Sequence, residues 1–234
     1  MHDRAHCVLL QLIKQGIEKQ LREEQAGFRS GRSCIDKIFV LRTIVEQSVK
    51  WNSSLHGNYI DFEKAFDSIH HPSLWKILQV YGLPTKVINI IKDIYTENRC
   101  CVRHDGQHSD WFHVKKGVRE GCIISPLLFL TVINWVMRRA TSDRPRGLAW
   151  GLVERLEDSD FEDDIGLLSQ SHKDIQEKTD LVDRTARTVG LKIHPAKTKL
   201  VKVKSSSRVA SHSERQRAGR STGLQVPRQF HLSQ

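Results

Sequence analysis

The chain has 234 residues, 38% of them hydrophobic, and a formal net charge of +10. That length accommodates one domain with a substantial core or two small lobes, and no apolar stretch approaches the ~18 residues a membrane-spanning helix needs. Five cysteines, without CxxC spacing, argue against a zinc knuckle or a disulfide framework and favour a reducing, intracellular setting, nucleus and cytoplasm being left open.

Residues 8–22 and 34–50 space their apolar side chains as helices do. Ser33, with Asp36 three positions on, predicts a capping box for the second helix. LHGNYIDF follows as a strand entering the core. HPSLWKILQVYG opens with Pro72 and closes at Gly82, the asymmetry expected of a helix, and PTKVINIIKDIYTE predicts another. CCVRHDGQHSDWFHVKKG reads as a hairpin around Asp105-Gly106. ISPLLFLTVINWVMRR predicts a largely buried helix. After an acidic stretch come a helix over residues 173–189 and a last strand at 199–203. Strands and helices mix without a regular βαβ rhythm, so the expected class is α+β.

From Ser205 onward the sequence is rich in Ser, Arg and Gln, lacks periodicity and reads as a disordered tail. Residues 202–234 hold seven Lys or Arg against one acid, so +6 of the +10 sits there and +4 belongs to residues 1–201. Basic character alone is therefore thin evidence for a polyanionic partner.

The acidic stretch EDSDFEDDIGLL places six carboxylates in the eight positions from Glu157 to Asp164. It is not a calcium loop: counted from Asp158, Asp163 stands where the loop needs Gly, and Ser169 where it needs Glu. A solvated acidic turn is the plain alternative. Yet the cluster runs straight into IGLLS, which puts Asp163 and Asp164 at the lip of a buried strand. NYIDFEKAFDSI has the same form, an apolar run delivering Asp61. Two such strands side by side would force their carboxylates together unless cations sat between them. Two Mg²⁺ (or Mn²⁺) so held would suit phosphoryl transfer to a nucleic-acid 3′ end. On this reading Glu157, Asp158 and Asp160 are the approach strand and its solvated edge.

Five segments in order, EEQAGFRSGRSCIDKIF, YIDFEKAFDSI, GVREGCIISPLLF, DFEDD and GLKIHPAKTKL, resemble the reverse transcriptase domain of non-LTR (LINE-type) retrotransposons. A group II intron maturase or telomerase-like protein fits FEKAFDSI and GFRSGRS less well. The resemblance covers residues 9–203 and implies a right-hand polymerase fold: fingers and palm over residues 1–204, an antiparallel palm sheet, and the basic tail over 205–234. It implies an RNA-directed DNA polymerase with RNA template, DNA primer and deoxynucleoside triphosphates as partners. Asp61, the backbone of Phe62, Asp163 and Asp164 would be the ligands of two metal ions. Phe66 would close off the sugar 2′ side. Gly121, within the Gly117–Pro126 segment, would let the backbone approach template and nucleotide. Lys197 would protonate the leaving pyrophosphate, and Arg29 and Arg32 would meet triphosphate or template backbone. Arg119 could touch phosphate or form a surface ion pair, while Glu63 and Asp67 read as structural or surface charges.

The chain departs from the family at two positions that, by this resemblance, face nucleotide or primer. Glu162 replaces a small residue, often Ala, and Glu120 replaces Gln. A carboxylate 4–6 Å from a triphosphate, at an effective dielectric near 20, costs about 3–4 kcal/mol before screening. An ionised Glu also cannot donate the hydrogen bond that Gln can. Ser159 stands where an apolar residue is common. Nothing after Val203 matches a primer-gripping hairpin or thumb, and no endonuclease segment precedes Met1. The expectation is a reverse transcriptase fragment of weak or absent activity, or a non-catalytic remnant that only binds nucleic acid.

Overall fold

The computed structural model describes residues 2–96, 99–142, 144–150, 154–203 and 229–231. In chain order these form α1 (His2–Ile17) with a 3-10 turn at Glu18–Gln20, α2 (Cys34–Lys50), β1 (Leu55–Ile60), α3 (Ala65–Ser68), α4 (His71–Val80) and α5 (Thr85–Thr96). Then come β2 (Arg99–Cys100), β3 (Arg103–His104), β4 (Gln107–His108), β5 (Phe112–His113), α6 (Ser125–Thr141), β6 (Leu148–Trp150) and β7 (Glu154–Leu156). β8 (Asp158–Phe161), β9 (Asp164–Ser169), α7 (His172–Arg187), β10 (Lys199–Val203) and β11 (Gln229–His231) complete the chain. The first predicted helix lies earlier than its apolar spacing suggested, while the second has the expected bounds. Ser33 caps α2 by accepting from the Ile35 N–H at 3.1 Å, a bond to the second helical residue rather than the third. Among the described residues no helix is long and apolar enough to cross a membrane.

The chain divides into two compact units, and the first takes Met1–Glu23, Phe62–Arg138 and Thr185–Lys192. Its core is helical and apolar. Leu74, Ile77 and Leu78 of α4, Ile88 and Ile91 of α5, and Leu128, Phe129, Val132 and Val136 of α6 are 3% exposed or less. A helix apolar all round belongs at the centre of such a unit, and α6 is that helix. Its one buried amide, Asn134, accepts the Arg22 N–H at 2.8 Å and donates to the Tyr81 hydroxyl. The predicted hairpin is present. Asp105 (φ 48°) and Gly106 (φ 79°) link β3 to β4, the left-handed pair that a two-residue turn requires.

The second unit takes Glu24–Asp61, Arg139–Arg184 and Ile193–Gln234. It is built on a five-stranded sheet in the order β11-β10-β1-β9-β8. β1, the central strand, pairs antiparallel with both β10 and β9. Ile44 of α2 packs with Leu55, Leu168 and Val203, which places α2 on one face of the sheet. Burying each such side chain stabilises the unit by about 1.5–3 kcal/mol. The sheet is not wholly antiparallel, as had been expected: Leu200–Lys202 of β10 pairs in parallel with Gln229–His231. The outer edge of β10 offers unpaired N–H and C=O groups, and a short strand satisfies them. Those three residues also depart from the expected disordered tail, the rest of which lies outside the described residues.

Candidate active site

The register of β1 on β9 builds the site. Tyr59 lies opposite Gly166 and Ile60 opposite Ile165, so the next residues of the two strands are Asp61 and Asp164. The juxtaposition inferred from two apolar runs, each ending in Asp, is thus realised by neighbouring strands. Alternation along the strands puts Tyr59, Asp61, Asp164 and Gly166 on the face that α2 covers. Asp61 and Asp164 both line a cavity of about 350 Å³ there, together with Ile38 and Leu41 of α2 and with Lys37, Lys197 and Lys199.

Lys197 reaches this cavity because its loop is tied to Asp61. The Asp61 carbonyl accepts from the His194 N–H at 2.8 Å, and the Asp61 N–H donates to Thr198 Oγ1 at 3.4 Å. Between these bonds the Lys197 and Thr198 N–H groups fold back on the His194 carbonyl. Lys197 Nζ ends 3.8 Å from Asp61 Oδ1.

The carboxylates feel one another. Desolvation raises the Asp164 pKa above the ordinary carboxylate value, and the charges of Asp163 and Asp61 push it further up. Desolvation, then Asp163 and Asp164, raise Glu162 in the same way. Such crowding fits a place where a divalent cation supplies the missing positive charge. Among the described residues no three His, Cys, Asp or Glu side chains close into a metal cage. A cation here would keep water and phosphate oxygens among its ligands, as Mg²⁺ does when one or two carboxylates hold it.

The hairpin tip between β8 and β9 has two residues, Glu162 and Asp163, joining the pair Phe161 and Asp164. Glu162 sits at φ 59°, a left-handed conformation costing a residue with a Cβ roughly 1–2 kcal/mol. The strain stands beside the acidic pair, where strained backbone tends to gather. Gly27 lies against it: a Cβ there would clash with the Glu162 backbone nitrogen and come 2.7 Å from its Cα. The fully buried side chain of Gln25 also meets this residue. Its Oε1 accepts the Glu162 N–H at 3.1 Å and its Nε2 donates to the Glu162 carbonyl at 3.2 Å.

One expectation is corrected by burial. Asp158 and Asp160 are not a solvated edge, since both are 0% exposed. Residues 24–26 cover the outer side of β8: the Ala26 N–H donates to the Asp160 carbonyl at 3.1 Å, and the Asp160 N–H to the Glu24 carbonyl at 3.2 Å. Nor is Glu157 solvated, for its carboxylate pairs at 2.7 Å with Lys178, which is itself 2% exposed. Among the described residues Arg119 forms no surface ion pair. It donates to the Ile94 carbonyl at 2.7 Å and lies over the Tyr95 ring.

The remaining candidates divide between the units. Arg29 and Arg32 belong to the second, with Arg29 donating to the Gln25 carbonyl at 3.0 Å. Phe62, Phe66, Glu120 and Gly121 belong to the first. Phe62 is buried there, and Phe66 stacks on Phe129 with ring centres 4.4 Å apart. Glu120 is exposed and lines a cavity of about 470 Å³ with Asp67, Arg99, Lys116 and Arg119. Gly121 has φ 72° and open space around it. Glu63 pairs with Lys192 at 3.0 Å, the surface role read for it.

Comparison with known proteins decides the lineage. The family described as Reverse transcriptase (RNA-dependent DNA polymerase) matches residues 4–224. The chain belongs to the reverse transcriptase family. This reverse transcriptase domain is 27% identical over 180 residues to the Retrovirus-related Pol polyprotein from type-2 retrotransposable element R2DM of Drosophila melanogaster, covering 77% of the chain. A Nasonia vitripennis Pol polyprotein from retrotransposable element R2 is 26% identical over 177 residues, 76% of the chain. The domain spans 17% of the length of each of these relatives. Such relatives place it with the LINE-type reverse transcriptases. Among solved structures it resembles a truncated apo telomerase from Candida tropicalis, with TM-score 0.61 and 14% identity over 89% of this chain and 41% of that one. A Candida albicans telomerase gives TM-score 0.62 at 11% identity, over 87% of this chain and 35% of that one. That likeness establishes the polymerase fold.

Proposed function

We propose that the domain carries the nucleotidyl-transfer site of an RNA-directed DNA polymerase, with Asp61, Asp163 and Asp164 as its acidic set. The observation supporting this is the β1–β9 register, which brings Asp61 and Asp164 to one cavity beside Lys197. Two divalent cations, Mg²⁺ or Mn²⁺, would lower the pKa of the primer hydroxyl and neutralise the triphosphate. Asp61 and Asp164 hold negative charge on the cavity wall, and Asp163 adds its own from the hairpin tip. In the reaction the primer 3′ oxygen, its proton released to solvent water, bonds to the α-phosphorus as the bond to pyrophosphate breaks. Lys197 carries a proton at Nζ for that leaving group. Lys37 and Lys199 give phosphate further positive charge on the same wall. The partners in this reading are an RNA template, a DNA primer and deoxynucleoside triphosphates, in an intracellular compartment.

One observation favours weak activity or the non-catalytic alternative. Glu162 adds a carboxylate within the electrostatic range of Asp163 and Asp164, which already crowd one another. Primer extension on an RNA template with Mg²⁺ or Mn²⁺ tests both readings. The unmodified chain should extend weakly, Asp163→Ala should abolish the product, and Glu120→Gln/Glu162→Ala should raise it about a hundredfold, the scale of one removed charge repulsion before screening. Strong extension by the unmodified chain contradicts the weak-activity reading. Extension that survives Asp163→Ala contradicts the site.

A further inference from the structure

One buried amide governs the backbone that presents the acidic pair. Beyond Phe161 and Asp164 the hairpin ladder ends, and Glu162 lies at the tip in a conformation its side chain disfavours. Its N–H and C=O are both engaged by the side chain of Gln25, which is 0% exposed. The same Oε1 accepts the Gly27 N–H at 2.8 Å, so the amide is anchored to its own segment while gripping the tip. That segment is fixed in turn by the two backbone bonds flanking Asp160 in β8.

The chemistry of this grip is selective. A carboxamide both accepts and donates at the required reach, whereas an ionised Glu would accept but not donate, and Met, a weak acceptor at most, could not donate. Because the Gln25 side chain is buried and its two bonds to Glu162 are part-buried, losing them leaves polar groups poorly paired as well as a loose turn. Gly27 completes the arrangement by steric means, since only a residue without Cβ lets the segment lie against Glu162.

We infer that Gln25 is a positioning residue, whose amide brackets Glu162 and thereby sets where Asp163 and Asp164 stand relative to Asp61. The inference rests on the proposed function, because position matters only if these carboxylates act together on a cation and its phosphate. Gln25 touches neither substrate nor cation. It acts through two backbone bonds, as an outer partner orients a metal ligand.

The test uses the full chain and Mn²⁺ itself, followed by electron paramagnetic resonance, with hydrogen exchange at the Glu162 amide measured by NMR. Gln25→Met keeps the side-chain length and removes both bonds. It should speed exchange at Glu162 by about tenfold, leave exchange in the β1–β9 ladder unchanged, and weaken Mn²⁺ binding by about 10- to 100-fold, the range known for outer partners of metal ligands. Gly27→Ala leaves the carboxamide in the chain but drives the Glu162 backbone away from it, and should weaken Mn²⁺ binding similarly; it carries the test should Gln25→Met fail to fold. Adding Glu162→Gly to Gln25→Met should restore part of the affinity, since glycine holds φ 59° unaided. Mn²⁺ affinity within twofold of the unmodified chain in Gln25→Met, or in Gly27→Ala if that variant alone folds, overturns the positioning role. If the unmodified chain binds no Mn²⁺, or binds it equally well as Asp61→Asn, the proposed function falls and the positioning role falls with it.

Discussion

The two units solve the problem of burial in different ways. In the first, the fully buried polar side chains among the described residues are neutral: Ser125, Thr131 and Asn134. In the second, Asp158, Asp160 and Lys178 are buried, along with His56, Gln25 and Asn58. An apolar core stabilises by area and leaves its elements some freedom to adjust. Buried charges and amides require particular partners, and they hold particular backbone atoms in place. The unit with the costlier interior is the one whose hairpin carries Asp163 and Asp164. Lys178 shows why: besides pairing with Glu157, its Nζ donates to the Glu157 carbonyl at 2.6 Å and the Leu168 carbonyl at 2.8 Å, clasping the base of that hairpin.

That contrast is broken most severely by Lys178→Met, which strands a carboxylate and two carbonyls. It should cost about 4 kcal/mol in urea unfolding, and Glu157→Leu added to it should return much of the loss. A recovery of nothing would mean that the ammonium serves the carbonyls rather than the ion pair. Next in size, Leu78→Ala in the first unit should cost about 3 kcal/mol through transfer and cavity formation, with a smooth, pH-independent loss. A loss that varied with pH would show that the apolar core senses charge after all.

The smallest effect sharpens the contrast through pH. Burial, with help from Lys202 and His172, pushes the His56 pKa down to about 4. The folded chain therefore keeps His56 neutral where the unfolded chain, titrating near 6.5, takes up a proton. Between these values the unfolded state binds more protons, so stability falls as pH drops from about 6.5 and this loss is complete below about 4. Allowing for solvent screening, roughly 1 kcal/mol should go between pH 7 and 5.5. His56→Gln should flatten that slope in thermal unfolding; an unchanged slope assigns the effect to other groups.

Sequence periodicity conveyed the elements whose environment is uniform. α2, α4, α5 and β10 stand where apolar spacing and Pro or Gly signals put them, because those signals act within a few residues. Asp61 and Asp164 were legible for a related reason: a strand ending in Asp is a local pattern. Gln25 was not. Nothing in EEQAGFRSGRS says that its amide is buried or that it meets a residue 137 positions later. Lys178 was equally hidden, lying in a helix whose other lysine, Lys173, is exposed. Asp158 and Asp160 misled because charge ordinarily predicts exposure, and for Asp160 the cover comes from residues 24–26. Long-range polar contacts leave no periodic trace, and these are what hold the site.

The Gln25 bracket also bears on how damaged copies of such a domain are judged. A copy stripped of its first thirty residues would retain Asp61, Asp163, Asp164 and Lys197, and a tally of acidic motifs would score it as intact. It would have lost both the amide that holds Glu162 and the glycine that makes room for it. If the bracket positions the pair, the competence of copies of this chain is better scored on Gln25 and Gly27 together with Asp163 and Asp164 than on the aspartates alone.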